Sequence, residues 1–354
     1  MERRYMVQEW KSIEALSVVF TLGVIAGTYV SAGPMWATPL LLVPLVLWAR
    51  REASTPLLLL TFLTLGVFVA STVVPFPDRE SLLERLALNS AERLKALIRS
   101  IPFPTDGTAA LLTALLTGDR SGLSREVIQA FRGSGASHIL ALSGLHMGIL
   151  YVLFDKLTLP LGKSPSAKKI RAALIVCAAG WFTLATGASP SIVRAFLFIC
   201  IGEFCNLTGR SKKLSRVLCV ALLIQLTANP AVVKSLGFQL SYLAMAGIAL
   251  LYPTLEKWYP EGSRFNPLRK IWQMAALSIS CQVFTAPLVW QKFGTLPRHF
   301  LLTNLMAIPI VTTLMGFAVA TVLMSALGWC PGLLITITDG LSRLLVWVLE
   351  IISA

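Results

Sequence analysis

Apolar runs close to 18 residues long recur from Leu16 to Ile352. That recurrence limits the possible folds more than any single motif does. About twenty apolar residues span a bilayer core as a helix, and a backbone in lipid must satisfy its own polar groups. Spans are expected near 16–32, 36–49, 56–74, 138–154, 172–187, 190–206, 217–228, 236–252, 273–290, 300–327 and 333–352. The expected fold is therefore all-α: a polytopic integral membrane helix bundle of about 10–11 transmembrane helices. Charged residues are only 14% of the chain, against roughly 25% in average soluble proteins, which argues against two soluble domains. The first run follows Arg3, Arg4 and Lys11, as a secretory signal would. A second run starts at once, so the first reads as a retained span.

The net charge of +14 invites a nucleic-acid reading. Its distribution gives a different one. With the N-terminus inside and the spans alternating, the inside segments 1–15, 50–55, 155–171, 207–216 and 253–272 hold 18 Lys and Arg. The outside segments 75–137, 229–235 and 291–299 hold 11, and the longest of them also carries seven acids. Short basic loops mark the cytoplasmic side. The charge is mostly a topology signal, with a cytoplasmic N-terminus and 75–137 extracytoplasmic. Arg194 and Arg343 remain within spans.

Three parts are expected: N-terminal transmembrane helices over 1–74, a short helical extracytoplasmic segment over 75–137, and a transmembrane domain over 138–354. In the middle part, Leu83, Leu86, Ala91, Leu94 and Ile98 make one apolar side of an amphipathic helix over Leu82–Ile98. Such a helix suits the outer leaflet or a channel mouth. Asp106 is placed to cap a short helix, Thr108–Thr117, closed by Gly118 and too short to span. Ser124 is placed to cap an amphipathic turn with Val127, Ile128 and Phe131 on one side and Arg125 and Arg132 on the wetter one. The six cysteines form no C-x-x-C pair and read as buried small hydrophobes.

Polar groups at membrane depth usually face the bundle interior or water. Ser143 and His146, three apart, share a face on the expected 138–154 helix, and His138 lies about 80° around from His146. Either a polar stripe along a pathway or hydrogen bonding between helices accounts for them. Gly144 and Gly148 form a G-x-x-x-G pair that would admit a close neighbour. In "TGASPSIVRAF", Pro190 breaks the chain between two spans, and Ser189 or Ser191 is placed to cap the next helix. A helix start suits an anion such as phosphate. Arg194 is one turn in, on the face of Ser191, unless it snorkels to headgroups. "FQLSYLAMAGI" adds Gln239 and Ser241; "FGTLPRHFLLTNLMAIPIV" adds Asn304 and Pro309, the latter expected to kink or break its helix.

These stretches, with "LLTGDRSGLSREVIQAFRGSGASHILALSGLHMGIL", resemble the ComEC competence family in order and over most of residues 110–311. The resemblance implies an inner (plasma) membrane channel that passes single-stranded DNA into the cytoplasm during natural transformation. Arg194, Ser191, Ser189, His146, Ser143, His138, Arg132, Gln239, Ser241 and Asn304 then become candidates for the DNA pathway. Longer family members carry an OB-fold and a metallo-β-lactamase-like domain. Residues 75–137 read as helical instead, and three histidines with no H-x-H-x-D-H run offer no such metal site. No catalytic residue, metal or cofactor is expected. The expected partners are single-stranded DNA, the lipid bilayer, a separate nuclease, a DNA receptor and a cytoplasmic motor, with a homo-oligomer as a further option. Three rival readings exist: a small-solute or lipid transporter, an intramembrane serine hydrolase using Ser143 and His146, and an assembly subunit without a pore. No G-x-S-x-G elbow surrounds that serine.

Overall fold

Among the described residues the apolar runs fold as helices, and breaks between them fall at glycines, prolines and capping hydroxyls. A computed structural model describes residues 2–30, 55–72, 82–162, 164–259 and 266–353, and no strand occurs among them. Fifteen α-helices follow in order: α1 Glu2–Val30, α2 Thr55–Thr72, α3 Leu82–Ser100, α4 Thr108–Thr117, α5 Arg125–Gly133, α6 Ser137–Leu140, α7 Gly144–Leu157, α8 Pro165–Ala185, α9 Pro190–Thr208, α10 Leu214–Ala228, α11 Leu236–Leu250, α12 Tyr252–Glu256, α13 Pro267–Phe293, α14 Phe300–Ala326 and α15 Gly332–Ser353. Among the described helices, α9, α13, α14 and α15 are long and apolar enough to cross a membrane. Shorter apolar stretches lie in α1, α2, α4, α10 and α11. The span expected at 36–49 lies outside the described residues.

Contacts divide the chain into two units, one of Met1–Arg79 with Cys200–Tyr242, the other of Glu80–Ile199 with Leu243–Ala354. The first unit is built on α1 and α2. Gly23 and Gly27 form a G-x-x-x-G pair on α1, with Gly23 facing Gly66 and Gly27 facing Val67 and Ala70 of α2. A Cβ at Gly23 would collide with the Leu63 carbonyl, and one at Gly66 with the Phe20 carbonyl. The two backbones therefore touch, as small residues allow in membrane helices. Phe20, Val24, Val69, Leu226, Phe238 and Tyr242 form this unit's core. Hydroxyls in it return their protons to the preceding turn, as Ser17 Oγ does to the Ile13 carbonyl (2.8 Å) and Thr61 Oγ1 to that of Leu57 (2.8 Å).

The second unit has α4 at its centre. Eight of its ten residues are buried. Ile98 of α3, Phe131 of α5, Ile139 of α6, and the inner faces of α14 and α15 share its core. Gly118 closes α4 in a left-handed conformation (φ 80), as the sequence predicts. The start differs from expectation. Gly107 is the N-cap residue and no side chain of its own segment caps the helix, so Asp106 does not. Residues at this start are tied instead to α15. Asp339, buried, accepts the Thr105 N–H (3.2 Å), the Thr105 hydroxyl (2.8 Å) and the Thr108 hydroxyl (2.7 Å).

Other expectations divide in the same way. Ser124 caps α5, its Oγ accepting from Val127 N–H at 3.3 Å. In α3, Ala87, Ala91 and Ile98 turn inward, while Leu82, Leu83 and Leu86 stand exposed. The apolar side therefore shifts by one residue in the first turns. Pro309 does not break α14, which runs unbroken from Phe300 to Ala326. None of the six cysteines is fully buried; Cys177 is exposed.

Candidate functional site

The segment "SHILALSGLHMGIL" does not form one helix. It folds as the single turn α6, an extended Ala141 (ψ 125), and then α7 with Ser143 as its N-cap. Ser143 and His146 are thus not two rungs of a polar stripe. They form a capping box in which histidine takes the position usually held by Glu or Gln. Ser143 Oγ accepts the Leu145 N–H at 3.3 Å, and His146 Nδ1 accepts the Ser143 N–H at 3.3 Å. Because Nδ1 is an acceptor, a neutral His146 carries its proton on Nε2. That nitrogen is buried without a hydrogen-bond partner among the described residues, and His146 is wholly inaccessible.

The next layer is Arg194 of α9, a side chain only 7% exposed. A Cβ added at Gly144, the first residue of α7, would lie 3.2 Å from its Nη2. Glycine there leaves room for the guanidinium. The Phe198 ring, one turn on, lies 5.8 Å from the guanidinium carbon. Gly148 meets nothing within 4 Å, so the expected helix approach through Gly144 and Gly148 is not made. Met147, Ile192 and Ala195 pack with Ala179 and Phe182 of α8, which fixes α7 and α9 against each other.

The turn before α9 is tight. Gly187 (φ 75) and Ala188 (φ 47) are both left-handed, and Ala188 N–H bonds back to the Thr183 carbonyl at 2.8 Å. A left-handed alanine is uncommon, because its Cβ crowds the backbone. Ser189 follows at the N-cap position, its carbonyl accepting from Val193 N–H at 2.9 Å. Its hydroxyl makes no cap: Ser189 Oγ is buried without a partner among the described residues. Two helix N-termini, a buried guanidinium and two unused polar atoms thus belong to one neighbourhood of positive character.

The remaining candidates scatter. Arg132 is exposed on the last turn of α5. His138 is exposed, its Nδ1 3.2 Å from the Gly135 carbonyl. Asn304 Oδ1 on α14 is buried without a partner among the described residues. Ser191 is half-buried on the first turn of α9. Gln239 and Ser241 belong to the first unit, where Gln239 Nε2 donates to the Val233 carbonyl at 2.8 Å. Sequence reasoning passed over Asp339, although an acid inside the apolar run 333–352 is itself a signal.

Over 226 residues the chain is 27% identical to ComE operon protein 3 of Bacillus subtilis (strain 168), covering 63% of this chain and 27% of that protein. It is 24% identical over 229 residues to the uncharacterized protein YcaI of Escherichia coli (strain K12), covering 60% and 28%. It is 29% identical over 204 residues to competence protein ComA of Neisseria gonorrhoeae, covering 56% and 28%. The chain thus spans under a third of the length of these relatives. No solved structure matches it significantly. The Competence protein family matches residues 115–354, which take in α5 to α15 and every polar group just described except those of the first helices. This helical membrane chain belongs to the Competence protein family.

Proposed function

We propose that the chain acts in DNA uptake and passes single-stranded DNA through the inner membrane to the cytoplasm. The observation that carries this reading is Arg194, a buried guanidinium set against the first residue of α7 inside the family-matched region. A permanently charged side chain at such a place suits a phosphate in transit. Arginine bonds phosphate through two parallel N–H groups, and the site must hold it weakly enough for release. Ser189, Ser191 and His146 border the same helix starts. In this reading His146 is a positioning residue, and the chain is not an enzyme. The His146 Nδ1 lies 3.2 Å from Ser143 Oγ, within reach of a base, but that contact closes a capping box, and no described residue orients the ring through Nε2 as a catalytic base requires.

Two features of α8 support the orientation in this reading. Lys168, Lys169 and Arg171 lie in its first turns, on the cytoplasmic side in this reading. Trp181, near the other end, donates to Ser90 Oγ of α3 at 2.9 Å. An exposed tryptophan at that level suits a membrane interface, and with the basic end of α8 inside, this supports an extracytoplasmic α3. A nuclease, a DNA receptor and a cytoplasmic motor act as separate partners.

The test is uptake of labelled DNA at matched membrane levels. Arg194→Ala is expected to lower uptake by about a hundredfold, as loss of a charge-assisted contact would. Arg194→Lys should restore only part of it. Equal uptake by the lysine variant and the wild type would mean that Arg194 only snorkels. Uptake of small solutes in place of DNA would favour the transporter instead.

A further inference from the structure

The outer face of α15 carries a charge at its middle. Arg343 is one of 22 residues in Gly332–Ser353, a helix long and apolar enough to cross a membrane. At 1.5 Å per residue it stands about 15 Å from either end. Its side chain is exposed, and no described residue forms an ion pair or hydrogen bond with it. Gly340, Arg343, Leu344 and Trp347 line a groove of about 440 Å³. Thr336, Gly340, Arg343, Trp347 and Glu350 are all exposed and recur every three or four residues, so they form one stripe along the helix. The opposite face buries Asp339, Ser342, Leu345, Val348 and Leu349 in the unit's core.

Lipid does not suit this stripe. A charged side chain at mid-bilayer costs about 2.5–3.5 kcal/mol on insertion scales. From the middle of a hydrocarbon core about 30 Å thick, an arginine is too short to reach the headgroups. A second copy packed twofold on the same face would bring two Arg343 guanidinium groups together in a low-dielectric setting. A water-filled path carrying an anion removes both costs. The flat Trp347 ring, one turn from Arg343 and 58% exposed, narrows the anion's chemistry. Aromatic faces stack nucleobases of any sequence, and guanidinium groups bind phosphodiesters.

We propose that this face of α15 is a second contact for single-stranded DNA, with Arg343 on a backbone phosphate and Trp347 stacked on a base. The proposal rests on the DNA-uptake reading. A Cβ at Gly340 would meet nothing within 4 Å. A larger side chain there enters the groove without touching the fold and also favours the helix.

The test uses the full chain in phosphatidylethanolamine–phosphatidylglycerol vesicles, with a photo-reactive group on Trp347→Cys or, as reference, on Ser191→Cys beside Arg194. The probe is labelled oligothymidylate. Crosslinking of DNA at both positions is the expected result. In cells, Arg343→Ala and Gly340→Leu should each lower uptake about tenfold, the loss of one such contact. If Arg343→Ala fails to accumulate, Gly340→Leu and the crosslinks decide. DNA captured at 191 while 347 captures only lipid or a second copy overturns this proposal and leaves the uptake reading standing. DNA captured at neither position overturns both.

Discussion

A single carboxylate holds the centre of the second unit. Asp339 takes three hydrogen bonds from Thr105 and Thr108, at the start of a helix whose own N-cap is a glycine. An anion there also meets the positive end of α4. Asp339→Ala leaves three donors without an acceptor, and a loss of about 3 kcal/mol is expected. Asp339→Asn keeps one carbonyl oxygen and should lose less. Unfolding of the detergent-solubilised variants measures both, and equal stability of the alanine variant and the wild type would remove Asp339 from this role. The sequence made Arg194, Ser143 and His146 visible because polar side chains are scarce in apolar runs. It could not show that one helix ends at Leu140 and the next starts from Ser143. Both halves of that segment are apolar, and the break depends on a capping box that histidine completes. Asp339 stayed hidden for a related reason: its partners lie more than two hundred residues away.

Among the elements, α3 shows what periodicity can and cannot supply. Its existence and length were legible in the alternation of leucines and charges over Leu82–Ile98. Which leucines face inward was not, since that depends on α8 and α4. The helix is tied to the loop after α4 by Lys95, whose Nζ lies 2.9 Å from Asp119 and 2.8 Å from Glu92. Hydrogen bonds from the Ser121 hydroxyl and backbone N–H, then Lys95, hold the Asp119 carboxyl below its usual 3.8. The hydrogen bond to Glu92, with Asp119 adding to it, raises Lys95 above 10.5 despite partial burial. The aspartate's contribution is complete above pH 3.8 and is lost as pH falls through its lowered value. The lysine's is complete below pH 10.5 and is lost as pH rises through its raised value. Protection factors over 82–100, taken against the intrinsic exchange rate at each pH, should therefore be flat between those limits and fall outside them. In Lys95→Met the fall at low pH should shrink, and an unchanged acid limb would assign that limb to other groups.

For the whole molecule, the run lengths and basic loops made the helical class and the family legible, because both are properties of the chain read end to end. Grouping of the helices was not legible: residues 200–242 join the first 79 in one unit, and no local pattern announces that return. The orientation yields a direct expectation. An impermeant thiol reagent applied to intact cells should label Ser121→Cys and leave Lys168→Cys unlabelled, and the opposite pattern would invert the topology. The Asp339 link also sets a timetable. Its partner Thr108 precedes it by 231 residues. At about 5–20 residues per second, the ribosome needs roughly ten to fifty seconds to supply the missing acceptor. Through that interval α4 has left the ribosome while Thr105 and Thr108 lack their carboxylate. The second unit therefore closes only once α15 has been made, and chaperones or insertion machinery must shelter a ten-residue apolar helix until then.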